Sequence, residues 1–179
     1  MTEYYKMTVA GLERNLPICE VNEHLDIAGF VMFSDVELTI ACATDLNKVA
    51  PEHDVLLTAE SKGIPLAYEM SRQSGKRYLL ARKSPKLYMV DPIEVEVKSI
   101  TTSRIQSLFL DKEDIKYLKD KRVLIVDDVI STGESILAME SLVEQAGGNI
   151  VGKMAVLAEG EAAERSDIIF LEKLPVFPK

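Results

Sequence analysis

Tryptophan is absent from the chain, and cysteine and histidine each occur only twice in its 179 residues. Cys19, Cys42, His24 and His53 show no spacing typical of metal ligands, and they give no local support for a Cys–His nucleophile pair. Free cysteine usually behaves as a small hydrophobic residue, so buried thiols and surface imidazoles are the simpler interpretation. These residues therefore predict neither a metal site nor thiol catalysis.

Long apolar runs are also lacking, and none approaches the length of a membrane span. The first residues, MTEYYKMTVAGLERN, carry acids and lack the basic-then-apolar order of a signal peptide. We therefore expect a cytoplasmic protein without a membrane partner. The net charge of −8 argues against a nucleic-acid partner bound non-specifically. The length suits one domain spanning 1–179, and 47% apolar residues are enough for a sizeable core.

Strand patterns alternate with helical patterns through the central and C-terminal parts of the chain. This order is typical of an α/β fold in which a central, mostly parallel sheet is covered by helices on both faces. The predicted strands are Val55–Ala59, Arg77–Ala81, Ser107–Leu110, Val123–Val126, Ile150–Ala158 and Asp167–Leu171. The predicted helices are Asp35–Val49, Lys62–Ser74 with its leading turn, and Thr132–Ala146.

Two parts of the chain depart from this alternation. The first twenty residues predict short strands around a turn at Gly11–Asn15. Ser84–Ser103 is polar and interrupted by Pro85 and Pro92, with a strand pair as one option in IEVEVKSI. Because long segments of this kind in compact domains are often mobile lids, we expect a lid here.

The stretch VLIVDDVISTGES, Val123–Ser135, places two adjacent acids after a buried strand. Ligands of an open parallel sheet bind beyond the carboxyl ends of its strands, and we expect Asp127 and Asp128 at such an end. The next helix begins near Thr132, so its free N–H groups and the hydroxyls of the turn suit a phosphate. The carboxylates can accept hydrogen bonds from vicinal hydroxyls or hold a cation. The stretch therefore predicts a sugar-phosphate site.

Other motifs that join an apolar strand to acids do not fit. A Walker B strand needs a Walker A loop, and neither G-x-x-x-x-G-K-[ST] nor the dinucleotide motif G-x-G-x-x-G occurs. A response-regulator receiver needs far more chain after its first strand than follows Asp128. Helix capping would explain one aspartate, but not two acids together with a hydroxylated turn.

A basic segment without acids, SRQSGKRYLLARKSPKLYMV, runs from Ser71 to Val90. Cations clustered on an acidic chain indicate a local anion site, although a solvated basic face is the alternative. The cations are Arg72, Lys76, Arg77, Arg82, Lys83 and Lys86.

The stretch Val123–Ser135 resembles the phosphoribosyl pyrophosphate (PRPP) signature of the type I phosphoribosyltransferases, and the chain is most similar to the adenine branch of that family. The resemblance implies the type I phosphoribosyltransferase fold, with a hood at about residues 1–30 and a flexible lid at 84–103. It also implies that the two acids bind the ribose hydroxyls and the turn binds the 5′-phosphate. The implied PRPP-binding residues are Asp127, Asp128, Val129, Ile130, Ser131, Thr132, Gly133, Glu134 and Ser135.

Two further stretches extend the resemblance. AESKGIP, Ala59–Pro65, resembles the pyrophosphate-binding loop of the adenine branch, in which a cis peptide bond is frequent. ARKSPKL, Ala81–Leu87, resembles its R-K-x-x-K-L element, whose cations would stabilise the charge that grows on the departing diphosphate. The implied pyrophosphate-binding residues are Glu60, Ser61, Lys62, Gly63, Arg82, Lys83 and Lys86. The implied catalytic residues are Arg82, Lys86, Asp127 and Asp128.

Two elements of the adenine branch are not matched. The stretch LDIAGFVMFSDVELT has Phe33 and Asp35, but Ser34 where that branch has an arginine. The stretch VEVKSITT has Glu94 and Glu96 nearby but no E-Y-G, whose glutamate commonly takes part in the proton chemistry of the base. We therefore expect tight PRPP binding together with measurable but weak adenine turnover.

The leading hypothesis is PRPP-dependent phosphoribosyl transfer to a purine base, with adenine as the first candidate, giving nucleotide and pyrophosphate in purine salvage. The resemblance implies Mg²⁺ carried by PRPP, without a metal site of the protein's own, and a homodimer. Two alternatives stay open. One is a different base, such as xanthine, orotate or a non-purine. The other is a non-catalytic PRPP-binding regulator, although the regulators of this fold carry an added DNA-binding domain, for which we expect no room here.

Overall fold

A parallel sheet forms the centre of the protein in the computed structural model, which describes residues 3–98 and 105–179. Its strands are β4 (Val55–Ala59), β5 (Arg77–Ala81), β8 (Arg122–Ile130), β9 (Asn149–Glu159) and β10 (Ile169–Leu174). They lie in the order β10-β9-β8-β4-β5, and every neighbouring pair is parallel. The predicted α/β fold with a mostly parallel central sheet is confirmed.

Helices cover both faces of this sheet. The helices are α1 (Val36–Val49), α2 (Ile64–Ser74), α3 (Lys112–Leu118) and α4 (Glu134–Ala146). Alternate residues of β4 face opposite sides: Val55 and Leu57 pack with α4, and Leu56 packs with α1 and α2. The continuous apolar runs of the central strands follow from this burial on two faces.

A second, antiparallel sheet packs over α1 and α2. It consists of β1 (Tyr4–Val9), β2 (Leu12–Asn22), β3 (Leu25–Ala28) and β11 (Val176–Pro178), in that order. The predicted turn at Gly11–Asn15 is too long. Ala10 and Gly11 both have positive φ, 49° and 75°, and these two residues close the hairpin, so that Glu13 already pairs with Thr8.

The predicted lid segment is partly a strand. Within it, β6 (Ile93–Lys98) pairs antiparallel with β7 (Ile105–Leu110), so the strand option in IEVEVKSI is confirmed at this position. Val95 is buried in the same core as α4, which fixes the base of this hairpin. Residues 99–103 of the predicted lid, like 1–2 of the predicted hood, lie outside the described residues.

Two element boundaries next to the candidate site differ from the sequence-based predictions, and one helix was not predicted. Strand β8 continues past Val126 to Ile130, because it stays in register with the long strand β9. Helix α4 begins at Glu134, not Thr132, because Gly133 takes a left-handed conformation with φ 82°. Helix α3 was not predicted, although Asp111 caps it by accepting a hydrogen bond from the Glu113 N–H at 3.0 Å. No helix among the described residues is long and apolar enough to cross a bilayer.

Candidate functional site

The two adjacent acids lie within the last part of β8, at the carboxyl edge of the sheet. They were predicted to follow the strand, but Asp127 still pairs with Ala155 of β9, and Val129 pairs with Leu157. The strand therefore fixes the backbone of the acids, while their side chains reach a cavity at the sheet edge. Asp128 is only 3% exposed.

The carboxylates of this pair are poorly compensated. Asp127 Oδ1 accepts the Asp128 N–H at 2.9 Å, and Lys62 Nζ lies 3.4 Å from Asp128 Oδ2 without hydrogen-bond geometry. Asp128 Oδ2 is buried and has no hydrogen-bond partner in the described part of the chain. Burial, followed by the negative charge of Asp128, raises the pKa of Asp127 well above its ordinary value. Such a pair is prepared to accept donors from a ligand.

The turn after β8 surrounds a cavity of about 100 Å³. Ser131 and Thr132 are exposed and Gly133 is buried at the start of α4, where the first N–H groups of a helix have no partner within the helix itself. The cavity is lined by Asp127, Val129, Ile130, Ser131, Thr132, Gly133, Glu134, Ser135 and Ile136. Ile130 is 1% exposed and belongs to the core, so only its backbone is available to a ligand.

A larger cavity of about 410 Å³ adjoins the first one and shares Asp127, Val129 and Ser135 with it. Its remaining lining comes from Asp128 of β8, from the end of β4 and from the loops after β4 and β5, which supply Ala59, Glu60, Ser61, Lys62 and Lys83. The structure thus brings the acid pair, the hydroxylated turn and the predicted pyrophosphate loop together around one connected space.

Gly63 is the point of closest approach between the β4 loop and β8. A Cβ at this position would collide with Thr58 Oγ1 and come to 3.0 Å from Asp127 Oδ1. Glycine is therefore required for Asp127 to keep its position. The preceding peptide bond, Glu60–Ser61, is cis, as the resemblance implied.

Glu60 is surrounded by positive groups from the end of β5 and the segment that follows it. Its Oε1 lies 3.1 Å from Arg82 Nη2 and 3.9 Å from Lys86 Nζ, and its Oε2 accepts the Lys83 N–H at 2.8 Å. Lys86 Nζ also donates to Ser84 Oγ at 2.7 Å. Because Ala59 and Ala81 are register partners, β4 and β5 place these residues side by side.

The basic segment does not form one surface. Arg82, Lys83 and Lys86 meet at Glu60, but the other three cations lie elsewhere: Arg72 pairs with Glu69, Lys76 with Glu52 and Arg77 with Asp114. The anion-site interpretation thus applies to half of the segment, and the solvated-face alternative describes the rest. Strand β5 lies between the two halves, and it explains their separation.

Two arginines near the site were missed by sequence reasoning. Arg14 of β2 donates to Asp35 at 2.7 and 3.1 Å, and so brings a guanidinium to the neighbourhood where Ser34 replaces the arginine of the adenine branch. Arg165, after β9, lies against Gly133. Neither arginine has a local sequence signal, because each contact joins parts of the chain that are distant in sequence.

Metal ligation by the protein alone finds little support in the geometry. The described residues hold no group of three or more His, Cys, Asp or Glu side chains suited to a metal ion. Asp127 and Asp128 provide two neighbouring carboxylates, and these are hard oxygen ligands of the kind Mg²⁺ prefers.

Comparison with known families identifies the class of protein. The phosphoribosyl transferase domain matches residues 40–176, which is more than half of the chain. The chain belongs to this family, whose members include phosphoribosyltransferase enzymes. The resemblance predicted from Val123–Ser135 and the predicted type I fold are both confirmed.

Three similar proteins show how far the likeness extends. The structure of adenine phosphoribosyltransferase from Thermoanaerobacter pseudethanolicus matches the fold with a TM-score of 0.68 at 24% identity, covering 79% of this chain and 84% of that one. The hypoxanthine/guanine phosphoribosyltransferase of Methanosarcina barkeri is 32% identical over 148 residues, which are 83% of this chain and 70% of that protein. The purine biosynthesis transcriptional repressor PurR of Bacillus subtilis is 32% identical over 113 residues, which are 63% of this chain and 39% of the repressor.

Proposed function

We propose that the protein transfers the phosphoribosyl group of PRPP to a purine base, releasing pyrophosphate. The observation that carries this proposal is the meeting of three elements around one connected space. These elements are the acid pair of β8, the hydroxylated turn before α4, and the β4 loop with its neighbouring cations. Adenine is the base that we propose to test first.

The binding roles follow from the chemistry of each element. Asp127 and Asp128 accept hydrogen bonds from the ribose hydroxyls. The buried Asp128 Oδ2, which has no hydrogen-bond partner among the described residues, thereby gains one. The 5′-phosphate occupies the smaller cavity, which the hydroxylated turn and the amino end of α4 line together. The ribose and the diphosphate occupy the larger cavity, which the acid pair and the β4 loop line together.

The diphosphate lies against the β4 loop and the end of β5. Ser61 and Gly63 offer backbone N–H groups, and Lys62 brings a cation whose Nζ is near the acid pair. Arg82, Lys83 and Lys86 stabilise the charge that develops on pyrophosphate as the bond to the ribose breaks. Mg²⁺ would be brought by PRPP, with the carboxylates of Asp127 and Asp128 as the protein oxygens that suit it.

Catalysis then rests on position and electrostatics, since no nucleophile of the protein is required. A ring nitrogen of the base attacks C1 of the ribose while pyrophosphate departs. The antiparallel sheet of β1, β2, β3 and β11 would cover the base as a hood, and residues 84–103 would close as a lid that excludes water.

The identity of the base is the least supported part of the proposal. Of the lid acids that could serve in place of the missing E-Y-G glutamate, Asp91 is occupied by Lys112 at 2.8 Å, which lowers its pKa. Glu94 and Glu96 alternate with the buried Val95 on β6 and are exposed. They are the remaining lid candidates for moving a proton, a step that typically contributes about 10²–10⁴-fold to a rate.

A regulator that binds PRPP without turning it over is the second candidate. It is favoured by the similarity to a purine repressor and by the mismatch at Ser34 and the E-Y-G position, while the residues that we propose to bind PRPP are present. We also propose a homodimer in the cytoplasm, as the family resemblance implies.

Steady-state turnover with adenine, hypoxanthine, guanine, xanthine and orotate, at saturating PRPP and magnesium, tests the proposal. We expect weak turnover of adenine together with tight PRPP binding. Fast adenine turnover would show that E-Y-G is dispensable. Faster turnover of another base would reassign the substrate. Intact PRPP binding without turnover of any base would favour the regulator, and failure to bind PRPP would refute both candidates.

A further inference from the structure

The turn that would hold the 5′-phosphate contains no lysine or arginine of its own. Its sequence is STGES, Ser131–Ser135, which carries one acid, Glu134, and no cation. A phosphate carries close to two negative charges near neutral pH. A guanidinium beside this turn would therefore improve the balance of charge.

Arg165 is placed beside it. A Cβ built on Gly133 would come to 2.6 Å from Arg165 Nη1, so the guanidinium occupies the space that a side chain at position 133 would need. Arg165 follows the 3-10 helix Gly160–Glu164 at the end of β9. Because β8 and β9 are parallel and Ile130 pairs with Ala158, both chain segments leave the sheet at the same edge.

The orientation of this arginine is fixed by an acid. Arg165 Nε and Nη2 donate to Asp167 Oδ1 and Oδ2 at 2.9 and 2.8 Å, which is a bidentate pair. Asp167 in turn accepts Lys153 Nζ at 2.7 Å, and Lys153 also donates to Glu140 of α4 at 2.8 Å. This chain of ion pairs, from α4 to Arg165, holds the guanidinium against the start of the same helix.

The Asp167 pair uses only two of the three nitrogens of the Arg165 guanidinium. Arg165 Nη1 donates no hydrogen bond to any of the described residues, and it is this nitrogen that faces Gly133. Arginine presents its donors in a planar fork that suits carboxylates and phosphates. The acid at 167 uses one side of the fork and leaves the Nη1 donors available.

We infer that Arg165 is a further phosphate-binding residue of this site, and that Asp167 is the residue that positions it. The inference rests on the proposed function in so far as it places the 5′-phosphate at the turn. It assigns to a residue outside the signature the positive charge that the signature itself lacks.

The test compares Arg165→Ala and Arg165→Lys with Arg122→Ala. Arg122 makes a similar bidentate pair, with Asp54 at 2.7 and 3.2 Å, but at the amino end of β8 and thus away from the turn. Removal of Arg165 leaves Asp167 paired with Lys153, so we expect the variant to fold. Melting temperatures of the three variants check this.

Inorganic phosphate is the first probe. Its binding is measured by the shift of the Gly133 and Ser135 amide signals in NMR spectra. PRPP and pyrophosphate, each with magnesium, are then titrated by calorimetry. We expect Arg165→Ala to weaken phosphate and PRPP about tenfold, the lower end of what one charge-assisted hydrogen bond contributes, and to leave pyrophosphate unchanged. Arg165→Lys should recover part of the loss, and Arg122→Ala should bind all three like the wild type.

Equal phosphate affinity in Arg165→Ala and wild type would overturn the inference, as would a parallel loss of pyrophosphate affinity. Loss of phosphate binding in Arg165→Ala, in a protein that does not bind PRPP, would support the inference and refute the proposed function. For Asp167→Asn we expect a smaller loss of phosphate affinity, with no further loss when it is combined with Arg165→Ala. Additive losses would refute the positioning role of Asp167.

Discussion

The β4 loop and strand β8 both line the larger cavity, and their acids differ in how many positive groups and donors surround them. Glu60, after β4, has Arg82, Lys86 and the Lys83 N–H around its carboxylate. Asp127 and Asp128, in β8, have one backbone N–H and a single lysine at 3.4 Å between them. The acids are close in space and differ in how far their charge is compensated.

This difference gives the acids different roles: Glu60 organises the site, whereas Asp127 and Asp128 can accept hydrogen bonds from a ligand. Compensation lets Glu60 hold the cations of the β5 end in place before any anion arrives. The acid pair is buried without compensation, and such burial is destabilising unless a ligand supplies the donors. Substitutions of Glu60 and of the acid pair should therefore change the stability of the free protein in opposite directions, and those of the acid pair should also change PRPP affinity.

The largest effect is expected from Asp128→Ala and Asp127→Ala on PRPP binding. Each removes a charged acceptor for the ribose hydroxyls, which contributes roughly 1.5–3 kcal/mol, or about 10- to 100-fold in affinity. Calorimetric titration with PRPP and magnesium measures it, with Asp45→Ala on α1 as the control, since Asp45 pairs with Lys48 and does not line either cavity. Unchanged affinity in both variants would show that the pair does not bind the ribose.

A smaller effect, about tenfold, is expected from Lys86→Ala on turnover. Lys86 is 3.9 Å from Glu60 and belongs to the predicted lid, so it should act mainly on the charge that develops as pyrophosphate leaves. Arg82→Ala should lower both affinity and turnover, because Arg82 directly follows β5 and is fixed there by backbone hydrogen bonds with Phe109.

The matched control is Lys76→Ala, since Lys76 belongs to the same basic segment but pairs with Glu52. Steady-state kinetics at varied PRPP separates the two quantities. A loss confined to PRPP affinity in Lys86→Ala would contradict a role in the transition state.

The residues that the structure brings around the smaller cavity were predictable from the sequence, because they lie within one stretch of chain. The two acids, the turn and Gly133 lie within Val123–Ser135, and the glycines at 75 and 147 end α2 and α4 as their left-handed conformations require. The extent of β8 was not predictable, because its last residues are held in the sheet by β9. The contacts of Glu60, Arg14 and Arg165 depend on which strands become neighbours, and no local pattern encodes that.

Glu60→Gln should lower the free energy of unfolding by about 1–2 kcal/mol, since the Lys83 N–H loses a charged acceptor, and Arg82 and Lys86 lose their ion-pair partner and repel each other. Glutamine can still accept the Lys83 N–H, so the backbone of the loop is kept. Chemical denaturation of the ligand-free protein measures the change. Glu161→Gln, at an exposed position on the 3-10 helix, provides the control, and equal stability of Glu60→Gln and wild type would remove the organising role of Glu60.

Asp127→Asn should have the opposite sign and stabilise the ligand-free protein. Asparagine keeps an acceptor for the Asp128 N–H and removes a charge that burial and Asp128 disfavour, which is why the pKa of Asp127 is raised from 3.8 to about 8. Between these two values the folded protein binds more protons at this carboxyl than the unfolded chain, so the wild type loses stability as pH rises. The gain from Asp127→Asn should thus be near zero at pH 4, grow as pH rises, and level off above about 8.

Asp54 provides the reverse case, because Arg122 lowers its pKa, so Asp54→Asn should be destabilising at neutral pH and lose its effect in acid. Thermal melting of the ligand-free proteins from pH 4 to 9 measures both differences. If the gain in stability from Asp127→Asn does not vary with pH, the charge of the acid pair of β8 is compensated in the free protein, like that of Glu60. The difference between the β4 loop and β8 would then disappear.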